Sequence, residues 1–328
     1  SEMCIRDRVA ALLVTIYATI EVMKKRYQTL NDYYRHLFGA KIFKVPIDAG
    51  FDCPNRDGTV ARGGCTFCTV SGSGDAIVAP DAPIREQFYK EIDFMHRKWP
   101  EVNQYLVYFQ NFTNTHDRVE VIRERYEQAI NEPGVVGINI GTRPDCLPDE
   151  TITYLAELAE RMHVTVELGL QTTYEKTSEL INRAHSYDLY KETVKRLRRY
   201  PKIEIVSHLI NGLPGETHEM MLENVRRCVT DNAIQGIKLH LLHLMTNTRM
   251  QRDYHEGRLR LLSQEEYVSI ICDQLEIIPK HIVIHRITGD APRDMLIGPM
   301  WSLNKWEVLN AIDQEMENRG SWQGCKVD

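Results

Sequence analysis

Cys53, Cys65 and Cys68 are the residues of this 328-residue chain whose types and spacing speak most directly of chemistry. Eleven residues separate the first two and two separate the last two. The stretch they share is rich in Gly, Asp, Asn and Pro, which makes it a loop rather than a helix or strand. Ahead of it, residues 41–48 (Lys-Ile-Phe-Lys-Val-Pro-Ile-Asp) form an apolar run of strand length. Three thiolates on one loop at a strand end can each hold one iron of a [4Fe–4S] cluster. Such clusters normally take four Cys ligands, so one iron is left open to another ligand. The competing readings are a zinc knuckle or incidental thiols. A structural zinc site wants four ligands, and no fourth Cys or His is paired with Cys65 and Cys68 nearby in sequence.

The elements that must position this loop follow from the rest of the chain. A hydrophobic content of 43% with 26% charged residues is ordinary for a protein with a sizeable core. The net charge of −6 excludes a global basic field for nucleic acid, so RNA binding would need a local patch. Eight cysteines in this length are too sparse for a disulfide scaffold and, with the clustered three, favour a reducing cytoplasm. No apolar run reaches the length needed to span a bilayer. Residues 9–20, with Arg6 and Arg8 ahead of them, mimic a signal peptide. Residues 1–22 are read instead as a dispensable, non-native or disordered leader, with Met23 as the start.

From residue 83 apolar runs of strand length alternate with amphipathic segments. Strands are expected at 104–110, 135–140, 163–170, 203–210 and 236–244, after the first at 41–48. Helices are expected at 27–38, 83–99, 118–130, 149–162, 178–200 (broken near 185–186) and 219–230. Six such β/α units with right-handed crossovers, each strand near-continuously apolar as when both faces are covered, make an α/β fold, a partial (β/α)6 TIM-like barrel. The core is expected over residues 23–245. Residues 246–328, with a helix at 263–278, a strand at 281–287 and a helix at 302–316, are expected as an α/β extension closing the open side.

Chemistry in such barrels gathers at the C-terminal ends of strands, and polar residues fall there: Asn111, Thr113 and Asn114; Arg143 and Asp145; Glu167 and Gln171; His208, Asn211 and Gly212. Cys146, at the end of the third strand, is a candidate catalytic thiol, although a free Cys is more often core packing. His240 and His243, three apart on one strand, should face opposite ways and share no metal. The run 191–202 is the one local basic cluster, able to touch an RNA backbone or simply to form a charged helix face. Arg286, Asp290, Arg293, Trp301, Asn304 and Lys305 mix charge with aromatics in a way that could bind a nucleotide.

Asp52-Cys-Pro-Asn-Arg-Asp-Gly58, Gly63-Gly-Cys-Thr-Phe-Cys68, Gly141-Thr-Arg-Pro-Asp-Cys146, His285-Arg-Ile-Thr-Gly-Asp290 and Trp301-Ser-Leu-Asn-Lys305 resemble the radical S-adenosylmethionine (radical SAM) superfamily. Within it they resemble the YtqA/YhcC-type group, near the Elongator catalytic subunit and the coproporphyrinogen oxidase relatives. The resemblance covers nearly the whole chain after residue 24, although the first cysteine gap is longer than the superfamily's commonest spacing. It implies that Cys53, Cys65 and Cys68 hold a [4Fe–4S] cluster whose open iron takes SAM. Phe67 would lie near the adenine, with Asn111, Thr113 and Asn114 at the SAM amino group. Glu167 and Gln171 would approach the ribose, Arg183 the carboxylate, and His208, Asn211 and Gly212 the adenine or an anionic group. The Gly-Gly-Glu usual after the second strand is replaced here by Phe109-Gln-Asn-Phe-Thr-Asn-Thr115, so roles there do not carry over one by one.

The same resemblance implies tRNA as substrate: wobble 5-carboxymethylaminomethyl-(2-thio)uridine converted to the 5-aminomethyl form, with a flavodoxin or ferredoxin as electron donor. A radical SAM enzyme acting on a small metabolite such as a tetrapyrrole is the alternative. A non-catalytic metal-binding module is the second.

Overall fold

The computed structural model describes residues 25–69, 72 and 77–327. The leader expected at 1–22 lies outside the described residues, as does most of the loop that follows Thr69.

Seven parallel strands form one sheet. They are β1 (Phe43–Ile47), β2 (Tyr105–Phe109), β3 (Val135–Thr142), β4 (His163–Gln171), β5 (Ile203–Asn211), β6 (Gly236–Leu241) and β8 (Val283–Arg286). They pair in that order, each with its successor. Between β6 and β8 a two-residue strand, β7 (Leu244–Met245), pairs antiparallel with β9 (Leu296–Gly298). The helices are α1 (Leu30–Phe38), α2 (Ile84–His96), α3 (Val119–Ile130), α4 (Asp149–Ala159), α5 (Glu175–Leu180), α6 (Tyr187–Leu197), α7 (His218–Thr230), α8 (Met250–His255), α9 (Gln264–Ile277) and α10 (Lys305–Asn318). The sheet is a parallel half-barrel of the expected TIM-like α/β kind. No helix among the described residues is long and apolar enough to cross a membrane.

Two expectations are refined. The strand placed in the C-terminal extension adds to the same sheet: β8 pairs parallel with β6, with Gly236 opposite Val283. The helix-then-strand rhythm thus runs one unit further before the chain turns back. The sixth strand, expected to 244, ends at Leu241; residues 244–245 leave the sheet to pair with β9. The break expected near 185–186 is present: α5 and α6 are separated by a turn in which Asn182 and Ala184 take left-handed backbone (φ 53° and 63°).

Local signals explain the starts and stops. Ser186, Thr217 and Ser263 cap α6, α7 and α9 through their side chains, Ser263 in a full capping box with Glu266. Gly39 closes α1 in the left-handed region at φ 69°, where a side chain would be strained. One face of the sheet packs apolar residues such as Val45, Val107, Ile138, Val166, Ile205 and Leu239 against the helices. The other face is not apolar. Lys44, Asn139, Glu167 and Lys238 hydrogen-bond to one another around Glu167, with Tyr108 on Lys238. Near-continuous apolar strands were expected because both faces are covered; here the concave face encloses a polar cavity instead of a dry core. At the N-terminal end of the strands, Tyr33 and Tyr34 of α1 bond to Glu204 and Asn139, and the Tyr34 ring meets His163 edge-on.

Candidate active site

The cysteine loop is tied by its own backbone. The N–H groups of Arg56 and Asp57 both donate to the Cys53 carbonyl (2.7 and 3.1 Å), and that of Cys68 to the Cys65 carbonyl (3.1 Å). Gly63 and Gly64 turn the chain at φ 82° and 71°, conformations that favour glycine. Outside partners then fix the loop in place. Asn182 Nδ2 donates to the Gly64 carbonyl at 2.7 Å, the Thr66 N–H to the Ile181 carbonyl at 2.9 Å, and the Met250 N–H to the Thr66 carbonyl at 2.9 Å. Asn55 is fully buried; its side-chain N–H donates to the Asn182 carbonyl and lies 3.5 Å from Cys65 Sγ. The left-handed turn at 182–184 is therefore the bracket against which the loop is built. Phe67 packs beside a small apolar cluster that includes Ile181, Leu213, Leu242 and Met250.

Cys53, Cys65 and Cys68 open into one cavity of about 280 Å³. The Cys65 thiol is lowered to about 7, by its hydrogen bond with Cys68 first and then, against burial, by the Arg143 cation and Asn55. Arg143, which lines the same cavity, forks onto Asp145 (2.9 and 2.7 Å) and donates to the Arg183 carbonyl at 2.8 Å. A thiol that ionises near neutrality beside a fixed cation is poised to be a metal ligand. Among the described residues no three His, Cys, Asp or Glu side chains converge as ligands of a single ion. An iron–sulfur cluster makes no such demand, because each thiolate takes its own iron. The donor set fits the cluster.

Deeper in, Glu167 is fully buried, with Lys238 at 2.6 Å, Lys44 at 3.1 Å and His208 at 3.3 Å. Burial alone would raise its carboxyl, but the two ammonium groups and His208 hold it well below the carboxylate range. Burial, opposed by Glu167, takes Lys238 down to about 7. Burial and the Lys238 charge hold His208 neutral, at about 4. Gln171 stands at φ 59° where the β4–β5 register shifts, a bulge that re-aims its side chain onto the cavity wall.

Of the residues proposed from sequence, Cys53, Cys65, Cys68, Phe67, Thr113, Arg143, Glu167, Gln171, His208, Arg286 and Asp290 line this cavity. The others have different places. Asn114 donates to the carbonyls of Phe109, Asn111 and Gly141, a clip between strand ends, and Asn111 reaches Asp48 at 3.3 Å. Asn211 exchanges two bonds with Gln274 (2.9 and 2.8 Å). Gly212 packs under Leu262, which a Cβ would meet at 3.2 Å, and its N–H donates to Met221 Sδ. Arg183 is 1% exposed and spends its guanidinium on the carbonyls of Leu170, Thr172 and His185. Cys146 is buried beside a second, separate depression with His116, and burial pushes its thiol far up.

Sequence reasoning missed Tyr108, Lys238, His240, His243 and Gly289 on the cavity wall. A lysine inside an apolar strand was the available signal for Lys238, since Lys is almost never fully buried without a partner. The alternation argument for His240 and His243 fails because β6 stops between them, and both line the cavity.

The sequence matches the Radical SAM superfamily over residues 57–228 and the Radical SAM C-terminal domain over 234–318. It is 56% identical over 301 residues to YtqA of Bacillus subtilis (strain 168), covering 92% of each chain. It is 26% identical over 200 residues to the tRNA uridine(34) acetyltransferase of Methanocaldococcus infernus, covering 59% of this chain and 36% of that one. Among solved structures, the archaeal Methanocaldococcus infernus Elp3 aligns with a TM-score of 0.65 at 16% identity, over 86% of this chain and 64% of that chain, a likeness of fold. A three-cysteine loop on a half-barrel, with these matches, makes the chain a member of the radical SAM superfamily, whose cofactors are a [4Fe–4S] cluster and S-adenosylmethionine.

Proposed function

We propose that the protein is a tRNA-modifying radical SAM enzyme that converts wobble 5-carboxymethylaminomethyl-(2-thio)uridine to 5-aminomethyl-(2-thio)uridine in the cytoplasm, with a flavodoxin or ferredoxin as electron donor. The observation that carries the radical chemistry is the trio of cysteines opening, with Arg143, into one cavity. The tRNA assignment draws on the likeness to a tRNA uridine(34) acetyltransferase and on the motifs shared with the YtqA/YhcC-type group. When bound, cluster and SAM together would supply a 5′-deoxyadenosyl radical able to take a hydrogen atom from the methylene between nitrogen and carboxylate; loss of one further electron to the oxidised cluster and hydrolysis of the resulting imine by water would release glyoxylate and leave the primary amine.

The chain's own residues do the positioning. Cys53, Cys65 and Cys68 would hold the cluster, with the Arg143 cation offsetting the thiolate charge. Phe67, Thr113, Gln171, Glu167 and His208 wall the space that SAM would fill. Glu167, kept ionised by Lys44 and Lys238, presents a carboxylate whose position those two cations fix. A hydrogen bond from a ribose hydroxyl to such a carboxylate would be charge-assisted and strong. The sheet and residues 286–295 both wall the cavity.

One observation favours the small-metabolite reading. Three of the six basic residues at 191–202 are spent on ion pairs, Lys191 with Asp188, Arg196 with Asp149 and Lys202 with Glu160. Anaerobic reconstitution with SAM and tRNA bearing the carboxymethylaminomethyl group, followed by nucleoside mass spectrometry, separates the two. Appearance of the aminomethyl nucleoside supports the tRNA reading. Unchanged nucleosides beside accumulating 5′-deoxyadenosine would sink it and spare the radical chemistry.

A further inference from the structure

Asn55, two residues past Cys53, is fully buried although its side chain is polar. Its Nδ2 lies 2.5 Å from the Asn182 carbonyl oxygen and 3.5 Å from Cys65 Sγ. A carbonyl oxygen that close demands an N–H facing it, so Asn182 decides which end of the amide is nitrogen. One N–H goes to that carbonyl and leaves the other for the sulfur, within hydrogen-bonding distance for so large an atom. The Oδ1 of the same amide is buried without a hydrogen-bond partner. An unmet buried oxygen costs about 1–3 kcal/mol, which an apolar side chain of the same shape would avoid. Packing alone therefore does not explain an asparagine here; its two N–H groups do.

The amide is held where it is from both sides. The Gly64 N–H donates to the Asn55 carbonyl at 2.8 Å. The Asn182 side chain donates back to the carbonyls of Gly64 and Arg62, at 2.7 and 3.3 Å. Each asparagine thus donates to the backbone of the other's segment, and the cysteine loop is closed against the turn at 182–184. The two side chains differ in one respect. That of Asn182 braces the loop as a whole, whereas that of Asn55 also reaches the sulfur of a cysteine that would ligate iron.

A reduced cluster carries one more negative charge than an oxidised one, and its sulfurs share that charge. An N–H aimed at a ligand sulfur therefore stabilises the reduced form more, and hydrogen bonds to the sulfurs are among the factors that set a cluster's potential. Burial strengthens the interaction, since no water competes for the sulfur. We infer that Asn55 acts through Cys65: its N–H, held on Sγ, raises the reduction potential of the cluster and so eases the one-electron reduction that starts the reaction. This rests on the assignment of the cluster to Cys53, Cys65 and Cys68 and is independent of which substrate follows.

The test uses the anaerobically reconstituted full chain without substrate or SAM, titrated with dithionite and redox mediators and followed by the paramagnetic signal of the reduced cluster. Asn55→Leu keeps the size of the side chain and removes both N–H groups. At the potential where half of the wild-type clusters are reduced, its reduced-to-oxidised ratio should be about tenfold lower, the scale of one hydrogen bond to a charged group. For a one-electron couple that is a midpoint about 59 mV lower. Asn182→Gly keeps the left-handed turn and the carbonyl that orients Asn55, but frees the loop. It should lose iron to a chelator faster while holding that ratio within about twofold of wild type. An unchanged midpoint in Asn55→Leu overturns the inference. So does an equal shift in Asn182→Gly, which would assign the effect to loop geometry. Should Asn55→Leu hold no cluster, wild type labelled at the side-chain amide nitrogen of asparagine decides. Pulsed paramagnetic resonance of its reduced cluster should show a coupling to the label, and absence of that coupling overturns the inference. A wild type that assembles no cluster overturns the radical chemistry as well.

Discussion

Lys238 on β6 holds its Nζ 2.6 Å from Glu167 Oε2 on β4, spanning β5, with both side chains almost completely buried. Lys44 on β1 meets the other oxygen of the same carboxylate at 3.1 Å. One carboxylate thus ties the first, fourth and sixth strands of the sheet. Glu167→Ala should destabilise the protein by about 3–5 kcal/mol, because it strands two buried ammonium groups. Glu167→Ala combined with Lys238→Met should recover part of that loss. Urea unfolding of the single and double variants measures both; additive losses would count against the pairing as described.

Cys53→Ala, Cys65→Ala and Cys68→Ala should each abolish iron–sulfur absorbance and SAM cleavage while leaving the helical circular dichroism intact. Cys146→Ala should behave differently. Its thiol faces a separate depression and is held protonated by burial, so the variant should keep the cluster and uncoupled SAM cleavage. Loss of either in Cys146→Ala would restore the thiol to the catalytic role its sequence position suggested.

Arg183→Lys removes a buried planar fork that joins the end of β4 to the turn before α6. An ammonium cannot satisfy the carbonyls of Leu170, Thr172 and His185 in that geometry. A stability loss of about 3 kcal/mol is expected, with weaker cluster retention because Asn182 and the cysteine loop share the turn. A fall in SAM affinity at unchanged stability would show that the guanidinium contacts the cofactor instead.

Burial lifts the Glu204 carboxyl from an ordinary 4.5 to about 7. Between those values the folded protein keeps a proton that the unfolded chain has released. The stabilisation is therefore complete below about 4.5 and is lost as pH rises to about 7, each pKa unit being worth about 1.4 kcal/mol. His163, 3.3 Å away and lowered by burial and by Lys44 to about 4, works in the opposite sense below its ordinary 6.5. Comparing Glu204→Gln with wild type at each pH isolates the carboxyl: the variant should gain relative stability as pH rises from about 5 to about 7.5. A difference that stays flat across that range would remove Glu204 as the source.

The cysteine loop and the strand–helix alternation were legible because each rests on local chemistry: thiol spacing, Gly and Pro punctuation, and apolar runs. The inner face was not. Lys44, Glu167 and Lys238 lie far apart in sequence and become one group only when the sheet curls. His240 and His243 misled because alternation holds only while a strand lasts, and β6 ends between them. The resemblance alone places Arg183 at the SAM carboxylate, and nothing in its sequence neighbourhood signals that three backbone carbonyls accept from its guanidinium. Asn114 and Asn211 are likewise tied into clips whose partners lie far off in sequence. The seventh strand was visible as a strand, but its pairing with β6 depends on the path of the chain through α9.

The sheet does not close on itself, and its two margins are finished differently. On β1, Pro46 lacks an amide hydrogen. On β8, the Ile284 N–H donates to the Gln28 carbonyl at 3.0 Å, and Thr29 bridges to Ile284. A closed ring of strands has its bore set by strand number and shear. An arc has no such constraint: the angle between its margins can change without breaking an interstrand hydrogen bond. The mouth of the half-barrel is therefore set by the segments that finish its margins and not by strand count, and it can receive a guest wider than a closed bore of the same strands would pass.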